Sequence, residues 1–127
     1  MSQQNVEIAR RHYEHLSGAG ELLPGLLHPE FEFSFAWMDG RGLDAAKRAT
    51  SEWIGTFEDW EIETQEVIEV GPEQLVAIVR DRGRPKGSDT EIQNEFAHLW
   101  TFRDGLAVRF EAFTEKIQAL EAAGLRE

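Results

Sequence analysis

The chain has 127 residues and a formal net charge of −11 at pH 7, from 13 lysines and arginines against 24 aspartates and glutamates. This length suits a single domain, and the acidic surplus argues against nucleic-acid binding, which needs clustered cations. Because the chain has no cysteine, no apolar leader and no apolar run near the roughly 18 residues of a membrane span, we expect a cytoplasmic protein without disulfides, thiolate metal sites or membrane contact.

The first half of the chain alternates between helical and strand periodicity. Apolar residues at helical spacing predict a first helix over 3–17. The leucine-rich segment 21–27 predicts a short second helix or a turn that ends before a proline. Phenylalanines alternate with other residues over 31–37, which predicts a strand with one buried face. A loop over 38–42 then leads to a longer helix over 43–57.

The second half returns to period two and predicts four long strands joined by hairpins. The strands are expected over 60–70, 74–82, 91–102 and 106–113, with a short helix over 116–124. Residues 74–82 are apolar on both faces, so this strand is expected to be central or covered on both sides. Helices that precede a long antiparallel meander indicate an α+β fold. We expect three helices of the N-terminal half on the concave face of a strongly bent sheet, enclosing a cone-shaped cavity.

The stretch from His98 to Phe110 contains the most informative pattern. An Asp104-Gly105 pair between two alternating runs predicts a tight hairpin turn. His98 shares one strand face with Phe96 and Trp100. An imidazole on an aromatic face is either a packed core residue with one satisfied nitrogen or a pocket group that can exchange protons near neutral pH.

Several motifs along the chain carry a resemblance to a known superfamily. They are Ala9-Arg10-Arg11-His12-Tyr13, Leu27-His28-Pro29-Glu30-Phe31, Gly42, Trp100-Thr101-Phe102-Arg103-Asp104-Gly105 and Ala119-Leu120-Glu121-Ala122-Ala123-Gly124-Leu125. In these residues the chain resembles the SnoaL-like branch of the nuclear-transport-factor-two-like superfamily, as one domain over 1–127. The superfamily includes isomerases, cyclases, hydrolases, dehydratases and non-enzymatic modules, so the resemblance implies the fold and leaves the activity open.

Two better-defined branches provide residue-level comparisons. By resemblance to ketosteroid isomerases, the oxyanion-binding tyrosine falls on Tyr13 and the oxyanion-binding acid falls on His98. The catalytic base would lie near Phe35, where the strand has no acid, and Asp39 is the nearest acid downstream. The final-strand acid of limonene epoxide hydrolases falls at about Ala112. Neither mechanism therefore transfers intact.

The candidate catalytic residues are His98, Tyr13 and Asp39, and a hydrogen bond between Tyr13 and His98 is expected across the cavity. The candidate substrate-binding residues are Phe35, Trp37, Trp53, Arg80, Asn94, Phe96, Trp100 and Phe110. If Arg80 faces the cavity, its charge needs an anionic partner, either Glu66 or a substrate carboxylate.

The four histidines show no metal-ligand spacing, and no Gly-rich loop follows a strand to open a helix in the dinucleotide pattern. His12 and His15 are expected to be solvated on the flank of the first helix. We therefore expect no metal and no cofactor.

Three hypotheses for function follow. The first is a cofactor-independent isomerase, cyclase or dehydratase that acts on a small apolar carbonyl compound by acid–base chemistry. The second is a non-catalytic carrier or sensor with the same cavity. The third is an assembly module. A homodimer is expected under all three, because the outer sheet face is too apolar for a free surface; that face comprises Ala97, Leu99, Thr101 and Phe113.

Overall fold

The computed structural model describes residues 2–35 and 38–124, and within these ranges it contains three helices and six strands. In chain order the elements are α1 (Ser2–Ala19), β1 (Leu27–Phe35), β2 (Met38–Arg41), α2 (Leu43–Gly55), β3 (Phe57–Val70), β4 (Gln74–Pro85), β5 (Ile92–Arg103), β6 (Leu106–Phe113) and α3 (Lys116–Ala122). The predicted α+β class is confirmed.

The six strands form one mixed, open sheet in the order β2-β1-β6-β5-β4-β3. The β1–β6 pair is parallel, and the other neighbouring pairs are antiparallel. As predicted, β4 lies between two strands and is buried on both faces. Ala77 and Val79 belong to the main core on the inner face, whereas Val76 belongs to a second core on the outer face.

The two faces of the sheet are covered by different helices. α1 packs on β3 and β4, and α2 packs on β1, β2 and β3. The expectation of three helices in the N-terminal half is wrong, because residues 21–26 contain no helix; the alternative prediction of a turn in this segment is confirmed at Pro24 and Gly25. The expected loop over 38–42 is also wrong in part. β2 pairs with β1 there, and Gly40 lies against the Phe33 ring, which a side chain at that position would meet.

The outer face is covered by α3 of the same chain. Ala119 of α3 packs against Val76, Ala97 and Leu99, and Leu99 is only 4% exposed. Thr101 accepts a hydrogen bond from the Gln74 amide at 3.1 Å. Ala97 and Leu99 are therefore buried within one chain, and Phe113 is partly buried against the same cluster. The apolar face that suggested a homodimer is thus largely covered by α3, so the physical reason for that expectation does not hold.

A register shift in β3 exchanges the two faces of that strand. The pairing with β4 is irregular between Thr64 and Glu66, as at a β-bulge, which changes the alternation of side chains. Ile62 lies in the main core, whereas Ile68 packs in the outer core. Strict alternation would place Trp60, Ile62 and Ile68 on one face, so the irregularity is what moves Ile68 to the outer side.

The hairpin between β5 and β6 turns at Asp104 and Gly105, as predicted. Both residues have positive φ angles, 54° and 82°. A two-residue turn with positive φ at both positions matches the twist of antiparallel strands, and Asp-Gly is among the preferred sequences for it. The turn pairs Arg103 with Leu106 and Phe102 with Ala107, and a register shift between Phe102 and Thr101 then places Trp100 opposite Phe110.

Candidate functional site

A cavity lies between α1, α2 and the inner face of the sheet. The space open to the centre of a water molecule is about 80 Å3, which is room for several waters at roughly 10–15 Å3 each. Its wall is mainly aromatic and contains Phe31, Phe33, Phe35, Trp53, Trp60, Phe96, Trp100 and Phe110. Its polar lining includes Tyr13, His98, His12 and Asp81.

A buried chain of hydrogen bonds links Trp100, Tyr13 and His98. The Trp100 indole Nε1 donates to the Tyr13 hydroxyl at 2.9 Å, and this hydroxyl lies 2.6 Å from His98 Nδ1. All three side chains are at most 5% exposed. The predicted bond between Tyr13 and His98 is confirmed.

The donor and acceptor roles in this chain follow from chemistry. An indole nitrogen can only donate, so the Tyr13 oxygen accepts from Trp100. The phenol proton then has one partner, His98 Nδ1, which must be the unprotonated nitrogen of a neutral ring. The ring proton is consequently on Nε2. This Nε2 is buried and has no hydrogen-bond partner among the described residues.

The electrostatics of the pair favour neutral groups. Burial lowers the pKa of His98 to about 3, and the nearby His12 lowers it further in the same direction. Burial raises the pKa of the Tyr13 phenol, although its hydrogen bond from Trp100 opposes the shift. At neutral pH, His98 is therefore a neutral hydrogen-bond donor and not an imidazolium acid.

His12 is a cavity residue that the sequence interpretation placed in solvent. It is only 2% exposed, so that expectation is wrong. The segment after α1 folds back over it, and the Leu23 N–H donates to His12 Nδ1 at 3.4 Å. Its ring meets Trp100 edge-on at 5.3 Å. Burial, with a smaller effect of His15, lowers the pKa of His12 to about 3.

Asp81 is the second polar group that sequence reasoning missed. It is only 2% exposed and lines the cavity. Its Oδ2 accepts hydrogen bonds from the indole nitrogens of Trp53 and Trp60, each at 3.0 Å. Its Oδ1 accepts one from the Asn94 amide at 3.2 Å. The available signal was strand alternation, because Asp81 continues the inward series of Ala77 and Val79.

The expected binding residues are divided between the cavity and other places. Phe35, Trp53, Phe96, Trp100 and Phe110 line the cavity. Asn94 does not appear in its wall but holds Asp81, which does. Trp37 lies outside the described residues.

Arg80 and Asp39 are not brought into this site. Arg80 alternates with the inward Val79 and Asp81, so it points to the outer face, where it pairs with Glu95 at 3.7 Å. Asp39 is exposed on β2; it lies opposite Ser34 and borders a separate recess. The structure therefore contradicts the expectation that either residue belongs to the cavity.

Within 2–35 and 38–124, no group of three or more histidine, aspartate or glutamate side chains is arranged to hold a metal ion. No helix in these ranges has both the length and the apolar character needed to cross a membrane.

Solved structures with a similar fold include three that cover most of this chain. A candidate SnoaL-like polyketide cyclase from Jannaschia sp. CCS1 has a TM-score of 0.73 and 21% identity over 99% of this chain and 94% of its own. TerC, co-crystallized with polyporic acid, has a TM-score of 0.75 and 20% identity over 95% of this chain and 98% of its own. A protein from Catenulispora acidiphila with a ketosteroid isomerase-like fold, in complex with trimethylamine, has a TM-score of 0.74 and 15% identity over 94% of each chain.

The TM-scores of these three structures show a shared fold, and the family is shown by the sequence of this chain. A search of the curated proteins found no match. The profile of the SnoaL-like domain matches residues 9–110, a stretch that runs from the middle of α1 into β6 and includes the polar groups of the cavity. The chain belongs to the SnoaL-like domain family.

Proposed function

We propose that the cavity binds a compact, largely apolar carbonyl compound and that the protein promotes its enolisation without a cofactor. Such chemistry underlies isomerisation, cyclisation and dehydration of carbonyl compounds. In this proposal the carbonyl oxygen accepts a hydrogen bond from His98 Nε2. Tyr13 is a positioning residue, because it acts on the ligand through the tautomer and orientation of His98.

The observation that carries the proposal is the buried, unpartnered Nε2 of His98. A buried donor without a partner costs about 1–3 kcal/mol. A ligand oxygen that accepts a hydrogen bond from Nε2 would remove this cost, and the free energy would favour binding. The surrounding wall is aromatic and suits a flat apolar body. Apolar pockets with a few placed polar groups are the usual form of small-molecule sites.

A neutral imidazole can polarise a carbonyl when its N–H is preorganised in a low-dielectric site. Enolisation also needs a base that accepts the proton next to the carbonyl. His98 Nε2 holds a proton, and the unprotonated Nδ1 of the neutral His12 already accepts from the Leu23 N–H. Asp81 lies four residues along the sheet, about 14 Å away between Cα atoms at 3.4 Å per residue. A water in the cavity is therefore the proposed acceptor for the proton next to the polarised carbonyl.

The family relationship and the structural relatives support a small-molecule partner. TerC was crystallized with polyporic acid, and the Catenulispora protein with trimethylamine. A dimeric assembly role has less support, because α3 covers the outer face that would have formed the interface. Non-catalytic binding is the second candidate, favoured by the lack of an unprotonated base beside the His98 donor.

Hydrogen–deuterium exchange on a ketone tests the proposal without knowledge of the natural substrate. We would incubate 2-tetralone with the protein in D2O and follow loss of the protons next to the carbonyl by NMR. The wild type should accelerate exchange in a saturable manner. His98→Phe should lose at least tenfold, since loss of one oxyanion donor costs roughly 10²–10³ in rate, and His98→Gln, which restores an N–H donor, should recover part of it.

His15→Phe is the matched control, because it makes the same chemical change outside the cavity wall. It should leave the exchange rate unchanged. Saturable binding of 2-tetralone without faster exchange would contradict catalysis and favour the binding role. Equal exchange by wild type and His98→Phe would contradict the assignment of His98 as the donor.

A further inference from the structure

We infer that the Asp81 end of the cavity is a binding site for an organic cation, namely a protonated amine or a quaternary ammonium group with apolar substituents. The inference shares the cavity of the proposed function and adds the chemical class of a second group on the ligand. It rests on the hydrogen bonding of Asp81, the absence of an ion pair to it in the part of the chain that the structure describes, and the aromatic wall around it.

The hydrogen bonds of Asp81 are those of a carboxylate. All three partners, Trp53, Trp60 and Asn94, donate to its oxygens. In the two bonds from indole nitrogens, Asp81 must be the acceptor, because an indole N–H can only donate. These neutral dipoles satisfy the oxygens but carry no positive charge.

Within residues 2–35 and 38–124, no cationic side chain pairs with this carboxylate. None of the ion pairs among the described residues includes Asp81. Its neighbours along the strand, Arg80 and Arg82, point to the outer face and pair there with Glu95 and Glu61. A buried charge is costly unless paired, so a cationic ligand would supply the missing partner.

The rest of the described cavity wall reinforces this preference. It contains no lysine or arginine, and its two histidines are neutral at pH 7 because burial lowers the pKa of each to about 3. The cavity therefore has a negative potential, which disfavours anionic ligands. The formal net charge of −11 on the whole chain adds a field that draws cations toward the protein.

Aromatic rings around Asp81 suit the apolar substituents of such a cation. Trp53 contacts Phe35 and Phe57, each with ring centroids 5.3 Å apart, and Phe96 at 6.1 Å. The faces of aromatic rings attract cations, and tryptophan does so best. A carboxylate held among such rings combines two of the features by which alkylammonium groups are recognised.

A matched pair of probes isolates the effect of charge. Trimethylphenylammonium and tert-butylbenzene have nearly the same shape, and only the first is charged. We would measure both dissociation constants by NMR titration at pH 7.5, with the indole N–H resonances of Trp53 and Trp60 as reporters beside Asp81. The wild type should bind the cation at least tenfold more tightly than its neutral counterpart.

Two variants assign the preference to Asp81. Asp81→Asn removes the charge but keeps an oxygen that can accept from the indoles, and it should reduce the preference to within about twofold. Asp89→Asn changes the net charge by the same amount at an exposed position in the turn between β4 and β5. It should retain the preference, which would exclude a simple effect of net charge.

The outcomes separate this inference from the proposed function. Equal binding of both probes by the wild type would overturn the cation site and leave the ketone chemistry at His98 standing. That comparison needs no variant, so it holds even if Asp81→Asn fails to fold. An unchanged preference for the cation in folded Asp81→Asn would also overturn the inference. So would equally tight binding of 4-tert-butylphenol, because this neutral molecule can donate a hydrogen bond to Asp81 without carrying a charge.

Discussion

Tyr13 and His98 lie 85 positions apart in the chain, and their side chains join through a hydrogen bond of 2.6 Å in the interior. The bond connects α1 to β5 and determines which imidazole nitrogen carries the proton. The same hydroxyl also accepts from Trp100. A single oxygen thus satisfies two buried ring nitrogens and leaves one N–H, on His98, for a ligand.

Tyr13→Phe should lower the free energy of unfolding by about 1–3 kcal/mol, because it leaves buried polar nitrogens of His98 and Trp100 without a partner. Urea unfolding followed by circular dichroism measures this loss. Thr56→Val removes an exposed hydrogen bond to the Trp53 carbonyl and should cost less than 0.5 kcal/mol. A Tyr13→Phe loss as small as that of the control would contradict the hydrogen-bond arrangement.

The buried histidines should make the protein less stable in acid. Unfolding exposes His12 and His98 to water, where each binds a proton with a pKa of 6.5, whereas in the folded protein each stays neutral down to about pH 3. Their stabilising contribution is therefore full above pH 6.5 and is lost as the pH falls from 6.5 toward 3. The slope reaches about 1.4 kcal/mol per pH unit for each histidine.

Between pH 7 and pH 5, urea unfolding of the wild type should lose about 4 kcal/mol through these two groups, or about 2 kcal/mol each. His98→Gln should show about half of that change, since only His12 remains to take up a proton. Equal pH dependence in the variant and the wild type would show that His98 is not held neutral in the folded protein.

Asp81→Ala should lower the free energy of unfolding by about 2 kcal/mol or more, because the indole N–H groups of Trp53 and Trp60 and the amide of Asn94 lose their hydrogen-bond acceptor. Asp81→Asn should cost less, since its amide oxygen can still accept from the indoles. Urea unfolding of the two variants provides the comparison. Equal losses would mean that these hydrogen bonds contribute little to folding.

Leu99→Lys tests the role of α3 as the cover of the outer face. Leu99 is 4% exposed and packs in the cluster that contains Ala119, so we expect a loss of about 3 kcal/mol. The loss should not depend on protein concentration. The control is Ile117→Lys, on α3 at a position that is 55% exposed. It should change the free energy of unfolding by less than 0.5 kcal/mol.

Light scattering of both variants separates this from an assembly role. If Leu99 instead lay in an interface between copies, Leu99→Lys would lower the mass in solution and leave the chain folded. That outcome would contradict the packing of α3 on β5.

Local periodicity predicted much of this fold from the sequence. Alternation identified the buried face of β1, both faces of β4, and the β5–β6 hairpin, because each depends on neighbours one or two positions away. The bulge in β3 could not be predicted in this way. Nothing in residues 64–66 marks the extra residue, yet it moves Ile68 to the other face.

The candidate site was predicted in part for the same reason. Tyr13 and His98 could be found because each lies on an apolar face of its own element. His12 was missed because its burial depends on the turn after α1 that folds over it. Asp81 was missed because its burial depends on the indoles of Trp53 and Trp60, which reach it from α2 and β3 and leave no local signal in the sequence.

The cavity is assembled from residues as distant in the chain as His12 and Phe110, so no fragment that lacks α1 or β6 contains its whole lining. A ligand that occupies it therefore binds the folded chain and not the unfolded one. Occupancy then raises the free energy of unfolding, by about 2.7 kcal/mol at a ligand concentration one hundred times the dissociation constant. For this protein, a melting curve recorded against a collection of small amines and ketones is a search for its natural ligand.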